Sequence, residues 1–237
     1  MLDLSTPKVV AVLTPRRLVQ DIAQARKRMP DIIEYRADLR DGLDADAIGG
    51  EIETIKAKLG LPLLFTLRDK QEGGEFTGSN AKRAHLYTAV VPLVDAIDIE
   101  IANVRTLENV PRRVDDHEVT VVLSYHNLTA TPGDADLDRL VNAAAVDGAD
   151  IVKIATMCTA RQDALRLLSL ATHTDTVPIA VVGMGPLGAA VRVVAPAFGS
   201  VLGYASLSGA TATGQVPVDD LRKAWAILAA GAAATAT

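Results

Sequence analysis

Lys153 stands inside the apolar run Ile151-Val152-Lys153-Ile154-Ala155, and a lysine in such a setting needs a partner or a task, because charged side chains are almost never fully buried without one. The run reads as a strand. Alternation puts Ile151, Lys153 and Ala155 on one face and Val152 and Ile154 on the other, so the amine points into whatever the first face lines. An apolar surrounding disfavours the ammonium and lowers its pKa, which would make the lysine nucleophilic enough to attack a carbonyl and form an imine. From this segment alone, a strand-end lysine that snorkels its head to water is the plain alternative.

Other short runs repeat the pattern. Glu34, Arg36 and Asp38 alternate with Ile33, Tyr35 and Ala37; Thr66 and Arg68 alternate with Phe65 and Leu67; Asp98 and Glu100 alternate with Ile97, Ile99 and Ile101; Ser124 and His126 share a face of a fifth run. One side of each strand is mostly aliphatic and the other is polar or charged. Burying both signs costs several kcal/mol per group unless they pair, so the polar faces form either a structural ion network or a site. Clustered carboxylates could also hold a divalent cation. Arg36, Arg68 and Lys153 already neutralise them, however, and His85, His117, His126 and His173 show no metal-ligand spacing, so neither metal nor cofactor is expected.

Eight such runs occur: Val9 to Leu13, Ile32 to Asp38, Leu63 to Arg68, Ala96 to Ile101, Thr120 to His126, Ile151 to Ala155, Ile179 to Met184 and Val201 to Leu207. Each is followed by a plausible helix. Repeated βα units without a linker predict a single α/β domain, a (β/α)8 TIM barrel over residues 1–228, with the Ala/Thr-rich 229–237 as a disordered tail. Barrel sites lie at the C-terminal ends of the strands, where the charged residues fall.

The chain has 237 residues, 49% hydrophobic and 22% charged, with a net charge of -5, which fits a globular protein and argues against nucleic-acid or anionic-membrane partners. The single Cys158 precludes an intramolecular disulfide, Met1 to Thr14 lacks a basic and apolar leader, and no apolar stretch reaches the roughly 18–20 residues that span a bilayer. A cytoplasmic location is the default. Gly183-Met184-Gly185-Pro186-Leu187-Gly188 spells G-x-G-x-x-G, but it opens the seventh βα unit and lacks the acidic residue about 20 positions on that a dinucleotide site needs. A helix N-terminus there still favours an anion, and Arg192 could add a bidentate carboxylate contact.

Taken in order, the segments Glu34-x-Arg36-x-Asp38, Thr66-x-Arg68-x3-Glu72-Gly73-Gly74, Asp98-x-Glu100, Ser124-x-His126, Lys153-Ile154-Ala155, Met184-Gly185 leading to Arg192, and Thr211-Ala212-Thr213-Gly214-Gln215 resemble type I 3-dehydroquinate dehydratases. The resemblance runs from about Val9 to Leu221 and implies a lyase of the shikimate pathway that forms a Schiff base with 3-dehydroquinate and eliminates water by a syn course. It makes Lys153 the imine lysine, His126 the general acid/base and Glu72 the carboxylate that orients it. Glu34, Arg36 and Arg68 then grip ring hydroxyls, Arg192 and Gln215 bind the substrate carboxylate under a closing loop, and Thr211 is a further contact. It also implies a homodimer.

Three positions depart from the family pattern: Val191 where serine is usual, Thr213 where proline is usual in the closing loop, and Cys158 where proline is common. The loop, Ser208 to Val216, should be less preorganised with Thr213. Two other classes stay open. A class I aldolase would share the lysine without needing Glu72-Gly73-Gly74 or Gly214-Gln215, and a non-catalytic binder of dehydroquinate would not need both Lys153 and His126.

Overall fold

A computed structural model describes residues 1–114, 117–173, 176–207 and 214–234. Among the described residues eight strands, β1 (Lys8–Leu13), β2 (Ile32–Arg36), β3 (Leu63–Thr66), β4 (Ala96–Glu100), β5 (Thr120–Asn127), β6 (Ile151–Met157), β7 (Ile179–Met184) and β8 (Leu202–Ser206), pair in parallel, with β8 beside β1 and the rest following in chain order, and a ninth short strand, Val216–Pro217, pairs with the end of β8. The curled sheet is a (β/α)8 barrel. At the β7–β8 seam, the Val201 N–H reaches Ile179 O at 2.9 Å, the Val181 N–H reaches Ser200 Oγ at 3.1 Å, and Arg192 bridges the two strands from outside the ladder.

Among the described residues seven α-helices cover the sheet: α1 (Leu18–Arg28), α2 (Ala45–Leu59), α3 (Asn80–Val90), α4 (Asp134–Val146), α5 (Arg161–Ala171), α6 (Gly185–Val194) and α7 (Val218–Ala234). Their starts follow the sequence chemistry. Asp44 accepts from the Ala47 N–H at 2.9 Å and Ser79 from the Lys82 N–H at 3.2 Å, satisfying amides that a helix start leaves unpaired.

Two expectations need correction. The fourth strand is followed not by an α-helix but by 3₁₀ turns over Ile101–Asn109, broken at Asn103, whose side chain donates to Glu100 Oε2 at 3.1 Å. Asn and Thr side chains compete with backbone pairing, and this segment holds Asn103, Thr106 and Asn109. The last helix also continues past residue 228 to Ala234, so most of the expected tail is helical; alanine is the strongest helix former and Leu228-Ala229-Ala230 extends the run. Strand ends differ by a residue or two. Asp38 and Arg68 lie just beyond β2 and β3 rather than inside them.

The lumen is layered. Val10, Ile32, Leu64, Ala96, Val122, Ile151, Ala180 and Leu202 form an apolar plug, one residue from each strand. One pleat toward the C-terminal ends, the same inward positions become Val12, Glu34, Thr66, Asp98, Ser124, Lys153, Val182 and Tyr204. The plug seals the bottom of the barrel, and the polar layer above it must find its partners within the protein or in a ligand. No helix among the described residues is long and apolar enough to cross a membrane.

Candidate active site

Lys153 is 3% exposed, and its Nζ donates to Asp98 Oδ2 at 2.8 Å, lies 3.6 Å from Glu34 Oε1 and sits 4.4 Å from the centre of the Tyr204 ring. The surrounding is therefore not apolar. Burial alone would lower the amine's pKa, but Asp98 and Glu34 outweigh it and hold the group above the ordinary lysine value. The sequence expectation of a depressed pKa fails for this reason: two carboxylates converge on the nitrogen, and only the fold brings them there. The free protein thus holds a charged lysine that must lose a proton before it can attack a carbonyl.

Asp98 is the hub. Its Oδ1 accepts from Arg68 Nη2 at 2.6 Å and from Ser124 Oγ at 2.6 Å, while Arg68 Nη1 also reaches Glu100 Oε1 at 2.7 Å. Glu100 Oε2 takes Arg83 Nη1 at 3.0 Å and Asn103 Nδ2 at 3.1 Å. Glu34 Oε1 accepts from Thr66 Oγ1 at 2.7 Å. Arg68 and Lys153 together hold Asp98 well below the usual carboxylate range despite complete burial. With each carboxylate engaged by cations or hydroxyls, the lumen is a pre-paired network, and among the described residues no group of three His, Cys, Asp or Glu side chains could hold a metal ion.

His126 sits one pleat above Ser124, which registers with Lys153 across β5 and β6. Its backbone N–H donates to Glu72 Oε2 at 2.8 Å, and its Nδ1 lies 3.1 Å from the same oxygen. Burial, reinforced by Arg68 and Lys153, pulls the imidazole well below its ordinary pKa, and burial pushes Glu72 up to about 7. The pair carries a neutral imidazole oriented through Nδ1. Glu72 reaches it from a tight turn whose Gly73 has a φ of +84°, and at Gly74 a Cβ would stand 2.0 Å from Arg68 O, so the Gly-Gly pair is a backbone requirement of that turn.

Arg36 forms a bidentate pair with Asp38, both contacts at 2.8 Å, at the edge of a cavity of about 390 Å³ that opens at the barrel mouth. Gln215, Ser206, Val12 and Gly73 line the same cavity. Arg192, 5% exposed, donates through Nε to Gly183 O at 2.8 Å and through Nη1 to Tyr204 O at 3.3 Å. No carboxylate partners it among the described residues, and burial lowers its pKa to about 10. A buried guanidinium that meets only carbonyls is a seat for an anion. The glycines of the G-x-G-x-x-G segment pack against each other instead of cradling phosphate: a Cβ at Gly183 would lie 2.7 Å from Gly188 Cα. Thr211 and Thr213 lie outside the described residues.

Residues 9–232 match the family model described as Type I 3-dehydroquinase. The chain belongs to that family. A 3-dehydroquinate dehydratase of Methanosarcina barkeri is 34% identical over 235 residues, covering 96% of this chain and 97% of the relative. Among solved structures, the 3-dehydroquinate dehydratase of Geobacillus kaustophilus superposes with a TM-score of 0.88 at 29% identity, covering 95% of this chain and 92% of that one. The type I enzyme from Clostridium difficile, solved with covalently modified comenic acid, gives 0.87 at 25% identity, covering 94% and 92%. As a type I 3-dehydroquinase the chain is a hydro-lyase of the shikimate pathway.

Sequence reading of this dehydroquinase missed Arg83. It is fully buried on α3, donates to Leu67 O and Glu100, pairs with Asp69 Oδ2 at 2.7 Å and stacks on Phe76 at 4.4 Å, bracing the turn that carries Glu72. Nothing in Asn80-Ala81-Lys82-Arg83 separates it from a solvated helix arginine. Cys158, 3% exposed, has its thiol pushed up in pKa by burial, which opposes nucleophilic use.

Proposed function

We propose that this chain converts 3-dehydroquinate to 3-dehydroshikimate and water through an imine on Lys153. The observation that carries the reading is the meeting in the lumen of a buried lysine with its charge-neutralising Asp98 and, one pleat above, a neutral histidine held by Glu72. Neutral His126 accepts a proton from the Lys153 ammonium as the amine adds to the C3 ketone. His126 returns that proton to the carbinolamine hydroxyl, which leaves as water, giving an iminium and restoring the neutral imidazole.

That iminium draws electrons from the C2–H bond, so His126 removes the C2 proton to form an enamine. The enamine expels the C1 hydroxyl, which leaves as water with a proton returned by His126. Both transfers use one base, so proton and hydroxyl depart from one face. Hydrolysis of the conjugated imine restores Lys153. Asp98 and Glu34 stabilise positive nitrogen throughout, which suits an iminium as well as an ammonium.

Arg192 and Gln215 then hold the carboxylate, with Thr211 joining them from the closing loop, while Glu34, Arg36 and Arg68 meet the ring hydroxyls. The same reading makes the enzyme metal- and cofactor-free, a homodimer and cytoplasmic. The test is a turnover assay that follows the absorbance of the conjugated enone, with and without EDTA, alongside size-exclusion of the pure protein. Full activity in EDTA supports the reading. Activity that requires added metal, or none with dehydroquinate, contradicts it.

A further inference from the structure

Ser206 ends β8 on the lumen face, one pleat above Tyr204 and beside Val12 of β1, as the register Val10 to Tyr204 and Ala11 to Ala205 requires. It is 5% exposed, and its Oγ has no hydrogen-bond partner among the described residues. Buried hydroxyls are nearly always paired, so an orphan demands a reason. Three facts locate one. Ser206 lines the mouth cavity together with Arg36 and Gln215. It pairs in register with Pro217, two residues after Gln215, so the segment carrying Gln215 is fastened to the same strand end. Arg192, the guanidinium without a carboxylate, is tied to the carbonyl of Tyr204 two residues earlier.

We propose that Ser206 Oγ is a direct hydrogen-bond donor to the carboxylate end of bound 3-dehydroquinate, completing the grip formed by Arg192 and Gln215. This rests on the dehydratase reading above and adds to it a substrate contact that the motifs do not contain. The apolar neighbour Val12 offers the hydroxyl nothing, and the opening of the cavity is where a ligand oxygen would arrive. The contact is made equally in the bound substrate and in the transition state, because the carboxylate takes no part in bond breaking. Its loss should therefore appear in KM rather than in kcat.

Ser206→Ala separates this role from a structural one. Since the hydroxyl has no partner in the free protein, removing it should leave Tm unchanged or slightly raised. The variant should show KM raised roughly tenfold, the scale of a lost hydrogen bond to a charged group, with kcat within about twofold. The stabilisation of Tm by saturating 3-dehydroshikimate should shrink in parallel. A KM within twofold of the unsubstituted enzyme would overturn the contact, as would a lowered Tm with unchanged KM, which would show a purely structural hydroxyl. If the unsubstituted chain itself fails to turn over dehydroquinate, the functional reading falls first and this contact with it.

Discussion

The two sides of the barrel lumen are built on opposite principles. Around β3 to β6, Arg68, Asp98, Glu100, Ser124 and Lys153 saturate one another at 2.6 to 2.8 Å. Near the β7–β8 seam, among the described residues, Arg192 meets only carbonyl oxygens and the hydroxyls of Tyr204 and Ser206 meet no partner. The saturated side fixes geometry and charge before any ligand arrives, which is what electrostatic stabilisation of an iminium requires. The unsaturated side keeps donors in reserve. Substrate is thus expected to complete the second side, while the first keeps its Arg68–Asp98–Glu100 pairing and changes chiefly at Lys153, where the imine forms.

The sharpest way to break this contrast is Asp98→Ala. Removing one partner from a buried ion network typically costs about 3–5 kcal/mol, because Arg68 and Lys153 are left charged and facing each other. Thermal denaturation should show Tm lowered by roughly 10 °C or more for a chain of this size, and turnover should vanish. His126→Ala should leave stability largely intact while lowering kcat by about 10²- to 10⁴-fold, with covalent complex accumulating. Near-normal turnover in this variant would remove His126 from the chemistry.

On the other side, Arg192→Met should raise KM by roughly 10- to 100-fold, the scale of a charge-assisted contact, with a Tm change well below that of Asp98→Ala. Equal destabilisation of the two variants would erase the distinction between the sides. The smallest effect concerns pH. Between 4.5 and about 7 the folded protein keeps the Glu72 proton that the unfolded chain has released, so Glu72 lowers stability as pH rises through that window. His126, depressed below 6.5, acts in the opposite direction. Glu72→Gln removes only the first contribution, so Tm should rise more steeply with pH below neutrality than in the unsubstituted protein.

Period-two alternation was enough to place Glu34, Asp98, Ser124 and Lys153 on one face, because the neighbours that point outward are aliphatic or aromatic and a strand allows no other arrangement. His126 and Glu72 were legible as a pair only through resemblance, since 54 residues separate them and a 3₁₀ turn, not a strand, delivers the carboxylate. Arg83 was illegible: a helix arginine that dives into the interior has the same local sequence as one in solvent. The direction of the Lys153 pKa was misread for a related reason. Burial can be inferred from apolar neighbours in sequence, but the carboxylates that reverse its effect come from β2 and β4, 119 and 55 residues away.

The decisive measurement is reductive trapping. Borohydride added to the protein during turnover of 3-dehydroquinate should fix a secondary amine, and peptide mass spectrometry should find it on Lys153 and find none in Lys153→Ala. Irreversible inactivation should accompany the label. A label on another lysine, or undiminished activity after borohydride and substrate together, would contradict the imine and with it the role assigned to the saturated side of the lumen.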